Sequence, residues 1–175
     1  VGFPKDDLRT ILRRLTSVHD ENVVWDGEPE PFILPIPGEY VGQLTLSVVA
    51  TQSRGTPDIV RDFTASSETM IGHRIATVSM RLELFGSQEA YDELDLLRLR
   101  LMRPSVRAEL RDDAGLALVD SPSITTLDGT VDNRATSAAI LDVRFAYAIT
   151  DVLGPDEGEP GFIESIEDPE EDLGT

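Results

Sequence analysis

The chain has 175 residues, no cysteine, 40% hydrophobic and 27% charged residues, and a formal net charge of −18. That length fits one domain with a core of its own. The lack of cysteine excludes disulfides and thiolate metal sites, no apolar run reaches the ~18 residues that would span a membrane, and so acidic a chain is unsuited to wrapping nucleic acid by bulk charge.

The opening VGFPKDDLRTILRRL is charged and helical rather than a signal sequence, and its lack of a starting Met predicts some trimming. Pro4 suits a helix start, and Asp6 and Asp7 suit the positive end of the helix dipole. Leu8, Ile11, Leu12 and Leu15 form one apolar stripe, and the helix is expected to end near Val18. Arg9, Arg13 and Arg14 fall on the other side, as a solvated face or as contacts to an acidic neighbouring subunit. Val23, Val24 and Trp25 make a short apolar burst, with Trp25 expected in the core. Pro29, Pro31, Pro35 and Pro37 then hold an extended segment along the domain edge.

Tyr40 to Ala50 reads as a strand, with Leu44, Leu46 and Val48 alternating against Gln43, Thr45 and Ser47. Thr51 to Thr69 is polar and has no period. A connection this long in a compact domain points to function, and between two strands it reads as an extended β-arm. Arg54 and Arg61 are its cations, and Arg54, Asp58, Arg61 and Phe63 are candidate interface residues.

Met70 to Phe85 is the organising strand. Val78, Met80, Leu82 and Leu84 point one way, and Thr77, Ser79, Arg81 and Glu83 the other. The period then changes. Ala90, Leu94, Leu97 and Leu101 form a helical stripe, with Ser87 as N-cap and Glu89 in the first turn. Pro104 restarts a helix with Val106, Ala108 and Leu110 as its weak apolar face and Gly115 just past its end. Leu116 to Val119 is a short strand, and Ser121 to Arg134 a turn-rich loop. Ala139 to Thr150 is the last strong strand, with Leu141, Val143, Phe145, Tyr147 and Ile149 on one face and Asp142 and Arg144 on the other.

From residue 151 onward there are ten acidic residues and no basic ones, leaving −8 for the first 150. Three prolines and four glycines in the last 23 residues oppose independent folding. Within this extension Phe162, Ile163 and Ile166 form an apolar island, a candidate docking segment. With Pro160 and Pro169 as stops, Gly161 to Glu167 fits a short strand added to another protein's sheet edge. The expected architecture is α+β, a mostly antiparallel sheet covered by helices. The expected division is a domain over 1–152 and an acidic flexible extension over 153–175.

No signature of catalysis or metal binding stands out. His19 and His73 lack metal-ligand spacing, and no GxSxG, P-loop, GxGxxG or HExxH is present. Asp112–Asp113 reads as a solvated helix end, and Glu170–Glu171–Asp172 as solvated tail. No cofactor or metal is expected, and no enzymatic activity. A DNA-mimic inhibitor is one alternative reading of the charge, and a carboxylate-metal enzyme another.

The order RLELFG, DLLRLRLMRP, LALVD and AILDVRFAYAI, from Leu8 to Val152, resembles the neck or tail terminator proteins of tailed bacteriophages. The resemblance implies a structural virion protein at the head–tail junction, assembled in the host cytoplasm. It implies a ring of copies, commonly six, that caps the tail tube and joins it to the neck. The partners it implies are further copies of the chain, the tail tube protein and a head-completion or neck adaptor protein. DNA would pass through the lumen without specific binding, helped by repulsion between phosphates and carboxylates. No membrane is implied. The acidic extension lies outside the resemblance.

Overall fold

The computed structural model describes residues 2–28, 41–62, 67–85, 89–127, 129–131 and 134–153. Helix α1 (Lys5–Leu15) is followed by a short 3-10 turn and β1 (Val23–Trp25). Then come β2 (Val41–Ser53), β3 (Asp58–Asp62) and β4 (Ser67–Phe85). Helices α2 (Ala90–Leu101) and α3 (Pro104–Ala114) lead to β5 (Ala117–Asp120), β6 (Ile124–Thr126), β7 (Gly129–Val131) and β8 (Arg134–Leu153). The fold is α+β, and among the described residues there is one sheet in which only the β1–β2 pairing is parallel.

The sheet is built on the central pair β4–β8, which runs unbroken from Phe85↔Thr136 to Glu68↔Leu153. Each of these strands is edged by a relay of shorter ones. Along β4, β2 pairs from Phe85 to Arg74 and β3 continues from Ile71 to Ser67 in the same direction. Along β8, β7, β6 and β5 follow one another from Arg134 to Ala146, all antiparallel to it.

The two-residue period puts Ala76, Val78, Met80, Leu82 and Leu84 of β4 on the face that carries Leu141, Val143 and Phe145 of β8. All are buried. Leu8, Ile11 and Leu12 of α1 close over this face, with Leu94, Leu97 and Leu101 of α2 and Val106 and Leu110 of α3, in one continuous core. Trp25 is buried beside them, its indole N–H donating to the Lys5 carbonyl at 3.1 Å. Gly42 lies where an added Cβ would come within 2.4 Å of Leu84 Cδ2, so a side chain there would displace Leu84 in the core. Gly115 ends α3 at φ 63°, the left-handed conformation expected there.

Several boundaries differ from the sequence reading. Helix α1 ends at Leu15, not near Val18, although Val18 is buried in the core. Helix α2 begins at Ala90 with Glu89 as N-cap, and neither Glu89 nor Arg103 caps its helix through a side chain. The Ala90 N–H donates instead to Ser137 Oγ on β8 at 2.9 Å, so a distant strand supplies the acceptor that Ser87 was expected to give. Ser87 lies outside the described residues. The stretch read as a loop from Ser121 to Arg134 contains β6 and β7, which are held by β8 rather than by their own period. Strand β8 is longer at both ends than Ala139–Thr150. The proline-rich segment 29–40 and the extension 154–175 also lie outside the described residues.

Candidate functional site

The core stops at Ala76 and Phe145, but the sheet does not. Eight further β4–β8 pairs continue from Ile75↔Ala146 to Glu68↔Leu153, a projection of roughly 25 Å at ~3.4 Å per residue. With β3 on its flank this is a three-stranded arm. Among the described residues, no hydrophobic side chain between 47 and 75 belongs to the buried core.

Polar contacts between strands stiffen the arm. Arg61 Nε donates to Glu68 Oε2 at 2.9 Å, His73 Nε2 meets Asp58 Oδ2 at 2.9 Å, and Arg74 Nη1 donates to Ser53 Oγ at 2.9 Å. The Arg54 N–H donates to the His73 carbonyl at 2.9 Å and bridges the gap between β2 and β3. These exposed pairs fix geometry more than they add stability. The arm also presents apolar side chains to solvent. Val60, Thr69 and Val152 lie in one row across three strands, with Val60 53% and Val152 59% exposed. Ile59 is 53% exposed in the neighbouring row beside Met70.

The expected arm residues therefore divide. Arg54 sits at the base, Asp58 and Arg61 are tied within the arm, and Phe63 lies outside the described residues, as do Phe162, Ile163 and Ile166. Sequence reading missed Ile59, Val60 and Val152, because two solvent-facing sides leave no contrast between apolar and polar positions. It also missed a second apolar surface on α2, whose outer side exposes Leu96 and Leu99 while its inner side is buried. Of the α1 arginines, Arg9 pairs with Asp6 and Glu28, and Arg14 with Glu109, all within the chain.

At the base of the arm an open hollow of about 540 Å³ is lined by Arg54, Gly55, His73, Arg74, Ala117, Ala146 and Tyr147. Among the described residues neither Arg54 nor Arg74 has a carboxylate partner. This contrasts with Arg144, which holds Asp120 across the β5–β8 pairing, with Nε to Oδ1 at 2.6 Å. That hydrogen bond, assisted by charge, keeps the Asp120 carboxyl below the usual carboxylate range and raises the Arg144 guanidinium. Asp112 is lowered in the same way by Arg111 and remains at the solvated end of α3. Among the described residues no group of three or more His, Asp or Glu side chains is close enough to hold a metal ion, and no helix is long and apolar enough to cross a membrane.

The arrangement is one of surfaces and edges: a compact body, a stiff projection and apolar side chains facing solvent. A sequence profile described as phage neck terminator protein matches residues 6–172. The chain belongs to the phage neck terminator family. No curated protein matches it. The neck terminator match runs well past Leu153, so the acidic extension lies within the family region rather than outside it, as the resemblance from Leu8 to Val152 implied. A neck terminator is a structural component of the phage and not a member of an enzyme family. Its place in the neck implies contact with other tail or head proteins.

Proposed function

We propose that this neck terminator assembles as a homo-oligomeric ring, a hexamer, at the head–tail junction of the virion. The ring caps the tail tube and connects it to the head-completion or neck adaptor protein, and DNA crosses its lumen. The supporting observation is the arm, which carries a hydrogen-bonded framework and exposed Ile59, Val60 and Val152 well beyond the core. A monomer gains nothing from ordering such a projection in water, whereas an assembly covers its apolar rows. Family membership supports the same reading. The formal charge of −18 suits a passage that DNA must traverse without sticking.

In this reading Arg54, Asp58, Arg61 and Phe63 contact the adjoining copy or the tail tube. Phe162, Ile163 and Ile166 anchor the C-terminal extension to a neighbouring protein. Deleting residues 53–66 tests the arm. Circular dichroism and thermal melting are expected to show a folded protein, because the deletion removes no described core residue. Negative-stain images are expected to lose the rings that the intact chain forms. Normal rings from the shortened chain would refute the assignment of the arm.

A further inference from the structure

The edge relay along β8 is incomplete. Strands β7, β6 and β5 cover its outer edge from Arg134 to Ala146. Beyond Ala146, the seven residues 147–153 pair with β4 on one side and, among the described residues, with nothing on the other. Backbone N–H and C=O groups along such an edge form a ready acceptor for one more strand. This slot continues the line of antiparallel strands, and its body-side end meets Ala117 and the hollow that holds Arg54 and Arg74.

We propose that the slot receives residues 161–167 of a neighbouring copy as a fourth strand of the relay, antiparallel to β8. The inference rests on the ring reading above and names the acceptor for its C-terminal segment. Three observations select this occupant. The first is length: Pro160 and Pro169 bound eight residues, 161–168, enough to fill the seven-residue slot. The second is pattern. With Phe162 opposite Val152, Glu164 falls opposite Thr150 and Ile166 opposite Ala148 on the same face. Phe162 then covers Val152, which is 59% exposed. The third is charge. In the antiparallel direction Glu167 and Asp168 arrive beside Tyr147, at the hollow where Arg54 and Arg74 lack carboxylates. The outer side of β2–β3 is another edge, but β3 carries Asp58 and Asp62, which oppose an acidic strand.

The donor is a neighbouring copy because the arm, on the ring reading above, reaches the adjoining copy. The slot runs to the arm tip, where Leu153 pairs with Glu68, and so opens toward that copy's extension.

The cysteine-free sequence makes the test direct. Full-length Thr150→Cys and full-length Glu164→Cys chains, whose cysteines face each other in this register, are mixed, allowed to assemble and treated with a short bismaleimide. A covalent dimer containing one chain of each kind is expected, with yield falling as salt is raised. Arg54→Glu with Arg74→Glu in the Thr150→Cys chain, its fold checked by circular dichroism, is expected to lower the yield about tenfold. Glu167→Lys with Asp168→Lys in the partner chain is expected to restore it. No mixed dimer overturns the proposal, and so does a link formed only within single chains when one chain is made to carry both cysteines. Rings seen in negative stain without the mixed dimer would leave the ring reading standing and remove this one. Mixed dimers without rings would do the reverse.

Discussion

Leu82 shows how much one position carries. It is 3% exposed, lies opposite Leu44 on one side and Ala139 on the other, and belongs to the core beneath the helices. Replacing it with Asp would bury a carboxylate in an apolar core. The expected loss is about 3–5 kcal/mol, a large share of the ~5–15 kcal/mol that holds a domain together. Urea denaturation should show it as a much lower midpoint. Leu96→Asp, on the exposed side of α2, should leave the midpoint nearly unchanged. Leu82, Leu94 and Leu97 were legible in sequence because each repeats with its element's period and faces one core. The juxtaposition of Arg74 and Tyr147 was not. Their importance comes from lying opposite each other across β4 and β8, and no local pattern encodes that pairing.

Among the elements, α2 depends most openly on a distant partner. Its first turn carries Asp92 and Glu93, which suit the helix dipole, yet its capping acceptor is Ser137 on β8. Ser137→Ala should therefore act like the loss of an N-cap and cost about 0.5–2 kcal/mol. The check is the thermal midpoint, together with faster amide exchange confined to the first turn of α2. A cap supplied from another strand is invisible to sequence, so Ser87 was the natural choice. Strands β6 and β7 were missed for a similar reason. Three residues each are too few to show a period, and β8 supplies their hydrogen bonds. The arm was legible as a projection because its composition is polar and its length too great for a turn. That the end of β8 forms its third strand was not, because no local pattern encodes a pairing between residues as far apart as Glu68 and Leu153.

For the whole molecule, the sequence order of strands and helices indicated the α+β class, and the structure adds the relay that completes the sheet. Every described core residue lies between Leu8 and Phe145. Ending the chain after Leu153 should therefore cost less than about 1 kcal/mol, which corresponds to a shift of no more than ~2–4 °C in Tm. Differential scanning calorimetry of the shortened and full chains checks this. A broad or absent transition in the shortened chain would show that the acidic extension is part of the cooperative unit. The family match runs through residue 172 and so includes most of that extension.

The β4–β8 ladder also governs the order of events when the chain folds. Its partners are 51 residues apart at Phe85↔Thr136 and 85 apart at Glu68↔Leu153. Large loops must close before any of these pairs forms, which places the chain among the slower folders. Until β8 arrives, β4 waits with one edge unpaired and with Val78, Met80, Leu82 and Leu84 uncovered, a template for pairing between nascent chains. The formal net charge of −18 opposes such pairing, because unfinished copies repel one another.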